Sequence, residues 1–246
     1  MKKLFLTLVI CAAIIPTAQA DSSVVAPVSN QDVVHHPVPK KPLYVSESWY
    51  YSLKKSLPPL PEGHSAKQKE DERELFEYQK SRTPQDCERG KSEVFVSLPN
   101  FFGSAGSPFA KAEIEKLSPF FEQIRNDADY FIQKLKKDFP RQRPFLYLKG
   151  LEPCVPKEVT GAYPSGHAVL SKLFALVLNE LYPNHRTFID ARSQQIADHR
   201  VLVGMHHRTD VDAGKKLAVL IFEQFKKSSK FQNDLQAVRK SPSPKQ

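Results

Sequence analysis

Ile114, Leu117, Phe120, Phe121, Ile124, Ala128, Phe131, Ile132 and Leu135 recur at the three- and four-residue steps of an α-helix with one apolar face. The pattern predicts a helix of about 25 residues. It ends before Pro140, with Ser107 as its cap and Pro108 in its first turn. A face that wide must be covered by other elements, and the next periodic segment supplies one. From near Gly166, the residues Val169, Leu170, Leu173, Phe174, Leu176, Val177, Leu178 and Leu181 make a helix that is apolar almost all round, as expected at the centre of a bundle. A third helix is predicted from about His185 to Val203, stopped at Gly204. A fourth starts at Thr209, where Thr209 and Asp212 have capping-box spacing, and continues through Leu217, Leu220, Ile221 and Phe225. Upstream, Ser65 caps a charged helix that runs to about Lys80. Strand-like alternation is scarce, with residues 94–98 the best case. The predicted class is all-α, a helical bundle.

The ends of the chain differ in kind. Residues 1–20 read as a secretory signal peptide: Lys2 and Lys3 form a basic start, an apolar run follows, and Ala18, Gln19 and Ala20 make a small-residue cleavage site. The apolar run is about 12 residues, short of the roughly 18–20 that span a bilayer, so no integral span is expected in the mature form. A periplasmic or secreted location follows. Residues 21–47 are rich in Pro, Val and Ser without a helical period and predict an extended leader, in which His35 and His36 are solvated side chains. One domain is assigned to residues 48–229 and a polar tail to residues 230–246. Cys87 and Cys154, the cysteines left after export, are expected to form a disulfide, with two buried thiols as the alternative.

Against 27 Asp+Glu, the chain carries 36 Lys+Arg, a formal charge of +9. That excess suits anionic small molecules, anionic surfaces or nucleic acid. No zinc-binding spacing, aromatic RNA-binding motif or long basic run supports the last, so nucleic acid is not expected as a specific partner.

Cations and imidazoles concentrate at three junctions between the predicted helices. The first holds Lys136, Lys137, Arg141 and Arg143, followed by Pro144. By itself it reads as a solvated helix end whose charges complement the dipole. The second is Tyr163-Pro164-Ser165-Gly166-His167, immediately before the most apolar helix. There Ser165 and Gly166 place backbone N–H groups at a helix start, a ready seat for an oxyanion, and an ordinary serine cap is the plainer reading. The third runs from Arg200 through His206, His207 and Arg208 to Asp210. A carboxylate at that spacing can hold one imidazole N–H and leave the other ring nitrogen as a nucleophile. Capping and dipole stabilisation are the plainer roles for His207 and Asp210. Metal binding through His206, Asp210 and a further histidine fits the ligand types, but guanidinium groups nearby serve a bound anion and repel a cation.

In order and spacing, Lys136, Arg143-Pro144, Pro164-Ser165-Gly166-His167, Arg200, His206 and Asp210 together closely resemble the three-part motif of the type 2 phosphatidic acid phosphatase superfamily. That superfamily includes bacterial class A non-specific acid phosphatases, lipid phosphatases and vanadium haloperoxidases. Leu57-Pro58-Pro59, the segment from Arg82 to Cys87 and residues 98–103 look like the upstream part of the class A secreted enzymes. The resemblance thus extends from about residue 57 to residue 225 and implies that superfamily's helical fold. Three departures stand out. His199 replaces the usual Ser before the third-part arginine, Ala162 and Ala168 stand at Ser and Thr positions, and His207 stands where an aromatic residue is common.

The resemblance implies hydrolysis of small phosphate esters with no cofactor and no metal. His206 would be the nucleophile, Asp210 its orienting carboxylate, and His167 the acid and then the base. Lys136, Arg143, Ser165, Gly166 and Arg200 would bind the phosphoryl oxygens. Class A relatives often self-associate, which makes a homo-oligomer an expectation. Three competing readings use the same residues: a vanadate-dependent haloperoxidase, a lipid or cell-wall pyrophosphate phosphatase, and a secreted anion- or metal-binding protein acting through His199, His206 and His207.

Overall fold

The structure, a computed structural model, describes residues 33–34, 37–103 and 107–240. The expected signal peptide, His35, His36 and residues 241–246 lie outside the described residues. Four helices, α1 (Tyr50–Ser56), α2 (Ala66–Ser81), α3 (Pro84–Ser92) and α4 (Leu98–Phe102), precede the long α5 (Lys111–Asp138). After it come α6 (Gly166–Leu181), α7 (Arg186–Leu202), α8 (Arg208–Lys227) and α9 (Ser229–Lys240). The sheet consists of one short parallel pair, β1 (Val33–Val34) and β2 (Lys157–Glu158). The class is all-α, as the apolar periodicity requires.

Helix α6 is the centre of the bundle, with α5, α7 and α8 packed around it. Its Val169, Leu173, Phe174, Val177 and Leu178 are completely buried, each burial stabilising by about 1.5–3 kcal/mol. Phe121 of α5 meets Phe174 edge-on at 5.0 Å. Leu217, Ile221 and Phe225 of α8 and Ile189 and Ile196 of α7 close the other sides.

Several boundaries differ from expectation for local reasons. Ser107 does not cap α5: its hydroxyl accepts the Phe109 N–H at 3.1 Å, and the helix begins at Lys111 after Ala110, which has no side-chain cap. Helix α8 begins at Arg208, and its capping box joins His207 to Asp210 instead of Thr209 to Asp212. The Thr209 hydroxyl instead donates to Asp71 of α2. Residues 94–98 form no strand; Val94 closes a turn onto Lys91, and Ser97 caps α4. The segment read as a polar tail from residue 230 is helical as far as Lys240, because Phe231 and Leu235, one turn apart, are buried in the main core.

The end of the leader is docked as well. Asp127 of α5 accepts the backbone N–H groups of Leu43, at 2.9 Å, and Tyr44, at 2.7 Å. The Tyr44 ring packs edge-on against Phe225 and Phe231, at 5.4 Å from each. Cys87 of α3 is bonded to Cys154 across 67 residues of chain, a closure that chain-entropy reasoning values at about 4 kcal/mol.

The junctions that hold the charged residues are joined through backbone. The Ser165 N–H donates to the Asp210 carbonyl at 3.0 Å, so the starts of α6 and α8 touch. Gly214 makes this approach possible: a Cβ there would lie 2.6 Å from the Ser165 carbonyl oxygen and 2.9 Å from Ala168 Cβ. Gly214→Ala is expected to cost about 1–3 kcal/mol, lowering Tm by about 2–4 °C for each kcal/mol. Gly63→Ala, whose Cβ would meet nothing within 4 Å, is the control expected to leave Tm unchanged. Equal melting of the two variants would refute the close-contact account.

Candidate active site

Each candidate side chain is placed by a helix end. Lys136 lies in the last turn of α5 and Arg143 five residues beyond that helix, capping the short turn Pro144–Leu146. Ser165 caps α6, and Gly166 and His167 open it. Arg200 lies in the last turn of α7, His206 in the turn that follows, and Asp210 in the first turn of α8. The carboxyl ends of α5 and α7 therefore meet the amino ends of α6 and α8. The opening N–H groups of α6 have no intrahelical acceptor and confer partial positive charge.

Arg143, buried to 1 % exposure, is the hub. Its Nε donates to the Thr160 carbonyl at 2.9 Å, Nη1 lies 2.7 Å from His206 Nε2, and Nη2 lies 2.5 Å from Glu158 Oε2. Arg200, equally buried, donates from Nη2 to Glu158 Oε1 at 3.2 Å. Its Nε and Nη1 are buried with no acceptor among the described residues, a guanidinium fork with two donors to offer an oxyanion. Lys136 donates to the Gly161 carbonyl. His167 turns Nε2 toward the carbonyls of Glu93 and Val94, at 3.0 and 3.1 Å, and Nδ1 toward Glu158 Oε1 at 3.9 Å. Those carbonyls require Nε2 to carry the proton, which leaves Nδ1 as the atom that exchanges one.

The Asp210 carboxylate is shared more widely than the sequence suggested. Its Oδ2 accepts from the His207 N–H at 2.9 Å and faces His207 Nδ1 at 3.0 Å; His206 Nδ1 is farther, at 3.5 Å. Its Oδ1 accepts from Arg141 Nη1 at 2.6 Å. The Ser165 N–H differs from expectation, because it is already bonded to the Asp210 carbonyl; the hydroxyl oxygen receives the Ala168 N–H at 3.5 Å and keeps its own proton to donate. Gly166 and His167 are therefore the backbone donors left to face an anion.

Electrostatics favour a neutral nucleophile among fixed cations. Burial, then the neighbouring Arg143, pushes His206 well below the ordinary imidazole value, so it stays neutral and its Nε2 lone pair accepts from Arg143 Nη1. Burial opposes charge on Asp210, but the His206 and His207 imidazoles and Arg141 hold it well below the usual carboxylate range. Burial, reinforced by Arg143, lowers Lys136 to about 7.

Four contributors escaped the sequence reading. Arg141 reaches Asp210, Asp71 and Gln68, binding α2 to the site. Tyr147 lies 2.8 Å from His207 Nε2. Glu93 connects two imidazoles: its carboxylate lies 2.7 Å from His199 Nδ1, and its carbonyl faces His167 Nε2. Glu158 bridges the two site arginines. Arg141 stood inside the basic junction and could have been singled out there; nothing in the sequence near Glu93 or Glu158 marks either.

No family model matches the chain. It is 29% identical over 196 residues to the non-specific acid phosphatase of Providencia stuartii, covering 74% of this chain and 77% of that protein. To the non-specific acid phosphatase of Salmonella typhi it is 34% identical over 115 residues, covering 45% of this chain and 46% of that protein. Among solved structures, the transmembrane PAP2 type phosphatidylglycerolphosphate phosphatase from Bacillus subtilis superposes with a TM-score of 0.51 at 18% identity, over 76% of this chain and 94% of that one. The chain therefore shares the all-α fold of that phosphatase. In sequence the chain is similar to proteins named non-specific acid phosphatase. No described helix is long and apolar enough to cross a membrane.

The value near 7 for Lys136 sets a pH dependence. A lysine lowered in this way is charged below that pH and neutral above it, so oxyanion affinity should fall as pH rises through about 7. In Lys136→Arg the charge persists, and vanadate affinity measured across neutral pH should lose that alkaline decline. An unchanged decline would show that Lys136 is not its source.

Proposed function

We propose that the chain is an exported, metal-independent phosphatase that hydrolyses small phosphomonoesters through a phosphohistidine on His206. The reading is carried by one contact, His206 Nε2 against the Arg143 guanidinium at 2.7 Å. The lone pair that would attack phosphorus and a cation that would hold its oxygens share one buried point. Phosphoryl oxygens held by Lys136, Arg143, Arg200, the Ser165 hydroxyl and the first N–H groups of α6 would present phosphorus to Nε2. Phosphoryl transfer demands chiefly positioning and charge stabilisation, and these fixed groups supply both.

Nε2 forms the P–N bond as the bond to the ester oxygen breaks, and Asp210 stabilises the resulting imidazolium. His167 gives the proton on Nδ1 to the leaving alkoxide. Water then attacks phosphorus, His167 takes one of its protons, the P–N bond breaks, and inorganic phosphate leaves with both imidazoles restored. Val94, Phe95, Val96 and Leu170 line the cavity beside His167, an apolar wall suited to a leaving group with a hydrocarbon or aromatic part.

His206→Ala is expected to abolish acid-quenched phosphoenzyme and reduce turnover by at least about 10³-fold. Retention of full turnover would reject the nucleophile assignment. His167→Ala should reduce alkyl phosphate hydrolysis by about 10²–10⁴-fold, and hydrolysis of a nitrophenyl ester far less, because that leaving group needs little protonation. Equal losses on both esters would place His167 outside acid catalysis.

A further inference from the structure

Glu158 is the one carboxylate set among the groups assigned to the phosphoryl oxygens. It is 6% exposed and belongs to β2, where its backbone is paired in register with Val34 of β1. Its two oxygens take one N–H from each site arginine, at 2.5 Å from Arg143 and 3.2 Å from Arg200, and Oε1 lies 3.9 Å from His167 Nδ1. A planar carboxylate spanning two guanidinium groups makes the contacts that two phosphoryl oxygens would make. Glu158 thus holds, as an internal anion, the donors that the substrate needs.

An ionised carboxylate cannot stay within hydrogen-bond range of a phosphoryl dianion without strong like-charge repulsion. As a protonated acid, the same group donates a hydrogen bond to a phosphoryl oxygen. We propose that Glu158 is a specificity-determining residue of this site: oxyanion binding is coupled to uptake of one proton by Glu158, which then donates to the bound group. The inference rests on the phosphoryl-binding reading above. The charged and titratable groups around Glu158 are Lys136, with Arg125 and Asp129 farther along α5 in the same cavity, Arg143 after α5, His167 from α6 and Arg200 from α7. The coupling gives the enzyme a preference for acid and for the more protonated form of its ligand.

The test is calorimetric titration of the full chain with inorganic phosphate near neutral pH, in two buffers of different ionisation enthalpy, comparing the wild type with Glu158→Gln. Glutamine keeps the shape and removes the charge. The wild type should take up about one proton more than the variant. Glu158→Gln should bind on the order of tenfold tighter at neutral pH, with the advantage vanishing in acid. Equal proton uptake, or weaker binding by the variant at every pH, would overturn the proposal and leave Glu158 as a brace for the arginines. A measurement on the wild type alone guards against misfolding of the variant. The infrared difference spectrum on phosphate binding should gain a protonated-carboxyl band, and its absence would equally overturn the proposal. Failure of the wild type to bind phosphate at any pH would overturn the phosphoryl-binding reading itself, and this inference with it.

Discussion

The bridge from Glu158 to Arg143 and Arg200 is the interaction on which the geometry of the site depends. Both guanidinium groups are buried to 1% exposure. A charge taken out of water without a partner costs several kcal/mol, and removing one member of a buried pair costs about 3–5 kcal/mol. Arg143 arrives from the end of α5 and Arg200 from the end of α7, so one carboxylate fixes the relative position of two helix ends. Arg141 repeats the device on the other side, joining Asp71 of α2 to Asp210 of α8. The cations persist in the core because anions from other elements are set against them, and those anions in turn determine where the cations point.

Helix identity and the packing order were legible because they depend on apolar periodicity, which is local. The all-round apolar surface of α6 announced its central place, and Ile114 to Leu135 announced the face of α5 that covers it. Helix starts were less legible, because a cap depends on which competing partner its side chain finds. Ser107 bonded within its own turn and Thr209 went to Asp71, a residue far away in sequence. The docking of α9 was hidden because its buried residues, Phe231 and Leu235, stand in a segment otherwise polar.

The site divides in the same way. Lys136, Arg143, His167, Arg200, His206 and Asp210 lie at or near helix ends, and the bundle brings those ends together. Their partners could not be read. Glu158 comes from the two-residue strand β2 between α5 and α6, and its role exists only once α5 and α7 have been placed. The sharing of Asp210 among His207, His206 and Arg141 likewise follows from the distance of each group after folding. His199, the departure from the motif that the sequence resembles, is held by Glu93, whose carbonyl also orients His167. A replacement visible in one line of sequence thus reaches the proton-exchanging imidazole through a residue that no motif contains.

The hold of Asp127 on the backbone of Leu43 and Tyr44 has a consequence for where the polypeptide tolerates a cut. A cut ahead of Leu43 leaves on the chain both backbone donors of the latch and the Tyr44 ring that packs on Phe225 and Phe231. A cut just beyond it releases Tyr44, leaves the buried Asp127 carboxylate with the Gln123 amide but without its backbone donors, and opens the hydrophobic interior to water. Tyr44 is therefore the point at which the amino-terminal chain joins the hydrophobic interior.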